Sequence, residues 1–212
     1  MNKQKVECRA FSFDVAAEEV EGKRRLTGRP IVFNSLTNIG PFDEIIEPGA
    51  LDNTDLKDVR FLVNHNTSMI PLARSRNNNE NSTMQLMPDA DGMNIRVDID
   101  IENNMDSRAL SSAVDRGDIT GMSFMMSGII DRWEDPRSEH PKRHILSIGR
   151  VLEVSACTFP AYTATSIEAR ANSDALDSAL ESLESAKAAE EMEERSRAEK
   201  KRKIMLMMEV DK

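Results

Sequence analysis

The sequence predicts a mainly β domain with flanking helices (α+β), followed by a helical C-terminal extension. Three observations predict it. Over residues 1–170, short apolar segments, several of them alternating, are punctuated by Pro and Gly. Between Asn104 and Arg116 the apolar spacing changes from that of a strand to that of a helix. Residues 171–212 contain no Gly or Pro and are rich in Ala, Glu, Lys, Arg, Ser and Met, a composition that favours helix.

Taken in chain order, "ECRAFSF" (7–13) alternates as a half-buried strand does. "TGRPIVF" (27–33) reads as a strand interrupted by Pro30, hence an edge strand or a bulge. "DVRFLVNH" (58–65) is a strong strand. "TMQLM" (83–87) and "MNIRVDI" (93–99) flank "PDADG", a hairpin turn signal. In the helix, Met105, Ala109, Leu110, Ala113 and Val114 form the apolar stripe, Asn103 or Asn104 is the cap, and Gly117 the terminator. "ITGMSFMMSGII" (119–130) and "HILSIGRVLEVSACTF" (144–159) supply two more strands. Between them "DRWEDPRSEHPKRH" (131–144), polar and with two prolines, reads as a long exposed loop. In the extension Leu176, Leu180 and Leu183 share a helical face, but Lys187 and Glu190 follow, so the pattern is one amphipathic helix and then a charged one, not a long coiled coil.

The formal net charge of −9 gives no electrostatic reason to expect nucleic acid or an anionic membrane as partner. No apolar run approaches bilayer length, and "MNKQKVECRA" has no apolar core of a signal peptide. The two cysteines, Cys8 and Cys157, match no metal-ligand or redox spacing and read as reduced thiols. His140 and His144 stand four apart like a helical metal pair, but Pro141 disfavours helix there, so no metal and no cofactor is expected.

Three residues break the apolar pattern of their strands. Ser123 shares parity with Gly121, Met125 and Ser127, whereas Met122, Phe124 and Met126 take the packed face. Its hydroxyl is either bonded locally or a nucleophile. His65 closes a strand in parity with Val59, Phe61 and Val63, which places it on the inward face, as a structural histidine or a general base. Glu153 shares parity with Val151, Ser155 and Cys157 in an apolar strand, where a carboxylate is costly unless paired. Arg150 is one partner for it; an imidazole that it orients is the other.

The stretches "RPIVFNS", "DEIIEPGAL", "VRFLVNHN", "PLARS", "DADGMNI", "GDITGMSFMM" and "LEVSACTFPAYTATSIEAR" occur in an order that resembles the prohead proteases of tailed bacteriophages, over residues 7–170. That resemblance implies a closed β-barrel core similar to the herpesvirus capsid-assembly protease. It implies Ser123 in "GMSF" as nucleophile and His65 in "NHN" as base. Glu153 in "LEVS" matches the family's acidic position; a second histidine serves in the herpesvirus enzymes, and His144 is the alternative third member by order. Met125 and Ala73 stand where the family commonly has Gly. Oxyanion donors are expected among backbone N–H groups near Ser123 or a turn at 149–150.

The implied protein is a serine endopeptidase that cuts the scaffolding segment of the phage major capsid protein, and itself, inside the procapsid in the bacterial host cytoplasm. Residues 1–170 would form the protease domain. Residues 171–212 would bind scaffold and be removed by a cut within 161–174, or act as an oligomerisation element. Two other readings stand beside it: a non-catalytic assembly protein that binds capsid subunits through the barrel and tail, and a cysteine hydrolase using Cys157 with His65. An apolar strand disfavours a reactive thiol.

Overall fold

The computed structural model of the chain describes residues 6–11, 16–20, 23–158 and 173–210. Among these residues eleven strands and two helices run β1 (Val6–Phe11), β2 (Ala16–Val20), β3 (Lys23–Val32), β4 (Thr37–Asn38), β5 (Asp43–Ile46), β6 (Arg60–Val63), β7 (Ala73–Arg74), β8 (Met84–Asp89), β9 (Gly92–Ile99), α1 (Met105–Asp115), β10 (Gly121–Glu134), β11 (Lys142–Cys157) and α2 (Ser173–Val210). One sheet has the order β1-β10-β11-β5-β4. Further along β11, β6 pairs on it and β7 on β6; the second sheet is β2-β3-β9-β8.

The fold is mainly β with helices, as expected. A closed barrel is not seen among the described residues, because β1, β4, β7, β2 and β8 each pair on one side and no ladder joins the sheets. The two sheets meet through their side chains. Leu26, Ile31, Met84, Leu86, Ile95 and Val97 of the second sheet share one core with Phe61, Met122, Phe124, Met126, Val151 and Val154 of the first.

Local signals act as their chemistry requires. The register of β3 against β9 slips between Gly28 and Ile31, the bulge that Pro30 imposes. A two-residue turn, Ala90 and Asp91, joins β8 to β9. Gly92 after it has φ +146°, and a Cβ there would lie 2.0 Å from the Ile31 carbonyl oxygen, so only Gly fits. The Asn104 side chain caps α1 by accepting from the N–H groups of Asp106 and Ser107. The buried face of α1 is Ser107, Leu110, Ser111 and Val114. Met105 and Ala109, expected in the stripe, are exposed, because the face that α1 buries runs through Ser107 and Ser111 instead.

The stretch 131–144 is not the long loop its polarity suggests. β10 continues to Glu134 and pairs with β11 from Lys142, leaving only 135–141 as a connection. The cause is α2, whose Ala179 and Leu183 bury Trp133 and Phe42 in a second core. The two rings meet edge-on at 5.0 Å. Trp133 Nε1 donates to Ser182 Oγ at 3.0 Å. Leu176 and Leu180 pack against this core, as their spacing predicts. Over residues 191–205 α2 is exposed and carries the i, i+4 pairs Glu191–Arg195, Glu193–Arg197 and Glu199–Lys203.

Beneath α2 lies a buried ion cluster. Arg143 donates to Glu7 at 2.6 and 3.1 Å, to Glu44 at 3.2 Å and to Asp131 at 2.5 Å. Arg9 donates to Glu7 at 2.6 Å and grips Glu44 with Nε and Nη2. Burial opposes the charge on Glu7, but hydrogen bonds and charges from Arg143 and Arg9 outweigh it and hold its carboxyl below the usual range. A carboxyl lowered in this way stabilises the fold above its unfolded value, near 4.5, and loses that contribution as pH falls through its folded value. The urea midpoint should therefore drop between about pH 6 and pH 3, and less steeply in Glu7→Gln. Equal slopes would refute the assignment.

Candidate active site

The three residues that break their strand patterns meet at one place. Ser123 lies opposite Ala10 of β1 and Ser155 of β11. Glu153 lies opposite Met125. Directly opposed residues share a face, so Ser123, Met125, Glu153 and Ser155 all project from the side away from Met122 and Phe124.

A bulge sets that arrangement. Met125 pairs with Glu153 but Met126 with Val151, so Leu152 is the extra residue. Val151, expected beside Glu153, thereby turns into the core.

His65 reaches the same face for a reason that strand alternation does not give. β6 ends at Val63, and Asn64 and His65 both adopt left-handed backbone, φ +50° and +54°. Two such residues break the alternation and carry the imidazole to the face opposite Phe61. Asn tolerates this conformation best among non-glycine residues. The Asn64 side chain pins the turn by donating to Thr158 Oγ1 and accepting from the Thr158 N–H, each at 2.9 Å.

The resulting geometry is a linear chain. His65 Nε2 is 2.6 Å from Ser123 Oγ, and His65 Nδ1 is 2.5 Å from Glu153 Oε1. The carboxylate draws the imidazole proton to Nδ1, which leaves the Nε2 lone pair facing the hydroxyl. The Ser123 proton has a second acceptor, the Arg9 carbonyl at 2.7 Å. Ser123 has no exposed surface and Glu153 is 3% exposed. Both Glu153 oxygens are nevertheless satisfied, since Ser155 Oγ donates to Oε2 at 2.5 Å. Arg150, the other partner considered for Glu153, sits opposite Ser127 and near Asp55 instead.

A hydroxyl, an imidazole within hydrogen-bond reach and a carboxylate behind it form the constellation of serine hydrolases. The match to a family model agrees: residues 11–178, well over half of the chain, match the model for caudovirus prohead serine proteases. The chain belongs to that family. Neither the curated proteins nor the solved structures contain a match to it. As a prohead serine protease it is a phage capsid-maturation enzyme. None of the described helices is long and apolar enough to cross a membrane.

The other expected residues fall elsewhere in the protease. His144 is nine residues before Glu153 on β11, about 30 Å at ~3.3 Å per residue, and pairs with Glu47 at 2.6 Å and Glu134 at 3.0 Å. His140 faces Asp43 at 2.9 Å. Gly149 and Arg150 lie within β11, not in a turn; Arg150, opposite Ser127, is about 13 Å along the sheet from Ser123, and Gly149 is further still. They cannot hold an oxyanion formed there. Cys157 is fully buried opposite Gly121. Burial, with the Glu153 charge adding to it, pushes the Cys8 thiol up to about 12, so it is no nucleophile at neutral pH. Met125 projects beside Ser123 as a half-buried neighbour, whereas Ala73 is buried on β7 against Phe61.

Proposed function

We propose that the protease is an endopeptidase acting through an acyl-enzyme on Ser123, with His65 as general base and Glu153 as its orienting carboxylate. The observation that carries this reading is the unbroken chain Ser123 Oγ, His65, Glu153 at 2.6 and 2.5 Å. Ser123 Oγ attacks the scissile carbonyl carbon while its proton passes to His65 Nε2. The carbonyl π bond opens to an oxyanion, and when it re-forms the C–N bond breaks. His65 returns the proton to the leaving amine. Water, deprotonated by the same imidazole, then cleaves the ester. Glu153 offsets the imidazolium charge at each stage.

The substrates are the scaffolding segment of the major capsid protein and the chain itself, cut within the procapsid in the host. No cofactor enters. Ser123 is fully covered, so a polypeptide reaches it only once that cover moves. The division into a domain over 1–170 and an extension over 171–212 belongs to this reading, as does closure of the two sheets into a barrel. α2 lies against β10 through Trp133 and Ser182, so the extension leaves its bed if it is cut away. The stretch where that cut is expected, 161–174, lies almost wholly outside the described residues.

Co-expression with the major capsid protein tests the proposal by intact mass. Wild type should shorten the capsid protein and, more slowly, itself, whereas Ser123→Ala should leave both whole. Equal shortening by both would remove Ser123 as nucleophile. A capsid protein left whole but still assembled by either form would favour a non-catalytic assembly role.

A further inference from the structure

We propose that Ser155 is a positioning residue of the hydrolysis, a fourth member that locks both the carboxylate and the base; this rests on the Ser123–His65–Glu153 reading above. Two bonds carry it. Ser155 Oγ donates its only proton to Glu153 Oε2 at 2.5 Å, and it accepts from the His65 backbone N–H at 3.1 Å. A strand serine with a merely local role bonds to nearby backbone. Ser155 bonds to the two groups that must keep a fixed geometry, one of them ninety residues away in the chain.

Each of those groups needs the help. Glu153 has two oxygens to satisfy, and His65 takes only one. Without Ser155, Oε2 is a buried charged acceptor with no partner among the described residues, and the carboxylate gains freedom to rotate away from Nδ1. His65 sits in left-handed backbone, a conformation that persists only where the surroundings hold it. The hydrogen bond from its N–H to Ser155 is such a hold. Because Ser155 also stands directly opposite Ser123 in the β10–β11 ladder, the nucleophile, the carboxylate and the base backbone are all referenced to one pair of strands. Ser155 touches no reacting atom, so its contribution is to orientation, which is felt in the chemical step and not in substrate binding.

The test uses the full chain and two readouts. In p-nitrophenyl acetate hydrolysis, Ser155→Ala should lower kcat about ten- to a hundredfold with KM unchanged, and Ser155→Thr, which keeps the hydroxyl, should restore most of it. In the inactive Ser123→Ala background, the downfield proton resonance of the His65 Nδ1–Glu153 hydrogen bond should be present, and adding Ser155→Ala should shift or broaden it. Wild-type kcat in Ser155→Ala, or a fall in kcat with that resonance unmoved, overturns the proposal. If Ser155→Ala does not fold, Ser155→Cys, close in volume but a weak donor, takes its place under the same criteria. Failure of the parent reading looks different: Ser123→Ala would then hydrolyse the ester as fast as wild type.

Discussion

Ser123→Ala, His65→Ala and the double variant should all hydrolyse substrate at one common residual rate, on the order of 10³- to 10⁶-fold below wild type. The equality matters more than the size. Ser123 and His65 share a single proton across 2.6 Å, so removing either leaves the other with nothing to do, and removing both costs no more. Glu153→Gln should lose about 10³- to 10⁴-fold. An amide NH₂ facing His65 forces the imidazole proton onto Nε2, where it blocks the transfer from Ser123. Turned the other way, the NH₂ meets the Ser155 proton now directed at Oε2. In either orientation a neutral group no longer offsets the imidazolium. His144→Ala is the contrasting variant: its partners are Glu47 and Glu134, far along β11, and hydrolysis should be unchanged. Steady-state rates on one substrate decide the set. Additive losses at Ser123 and His65, or a large loss at His144 with little at Glu153, would mean that the reacting groups are other than these.

Ser123, His65 and Glu153 are legible in the sequence because each is a polar group in a segment that otherwise reads as buried strand. Their meeting is not legible from alternation. Strict parity puts His65 on the core face with Phe61, and only the left-handed pair Asn64–His65 turns it across. The one local sign of that turn is the Asn of "NHN", a residue that tolerates φ > 0. Parity likewise puts Val151 beside Glu153, and the bulge at Leu152 undoes it. Ser155 gives no signal at all, since its hydroxyl alternates with Val154 and Ala156 as any strand serine would. The stretch 131–144 looks like solvent-facing loop because what covers Trp133 arrives from Ala179, Ser182 and Leu183. Long-range cover of this kind overrides local polarity. Glu7 and Arg9 do carry a faint signal, two charges of one parity in an alternating strand, but their partners Glu44 and Arg143 lie 35 or more residues away.

Arg143→Ala should destabilise the protein by about 3–5 kcal/mol, the cost typical of breaking a buried ion network from one side. Arg143 is 2% exposed and serves three carboxylates: Glu7, Glu44 and Asp131. Its loss leaves those three with Arg9 as the remaining guanidinium among the named members, so at least one carboxylate stays buried and uncompensated. The whole network is a different matter. Exchanging Arg143 together with its acids for packed apolar groups would cost little, because desolvation of the charges offsets most of their attraction. The large effect is therefore specific to one-sided removal, and Arg143→Ala combined with Glu7→Gln should recover part of the loss, a coupling that additive contributions would not give. Domains of this size are stable by roughly 5–15 kcal/mol, so the single variant should show a clearly lowered urea midpoint. The damage should also spread beyond the cluster. Asp131 accepts from Ser182 of α2 at 2.8 Å as well as from Arg143, and β1 carries both Glu7 and the Arg9 carbonyl that faces Ser123. Loss of Arg143 should thus raise amide exchange in β1 and in α2 around residue 182 before the rest of the first sheet opens. A midpoint within error of wild type, or uniform exchange across the sheet, would show that the cluster does not hold these elements together.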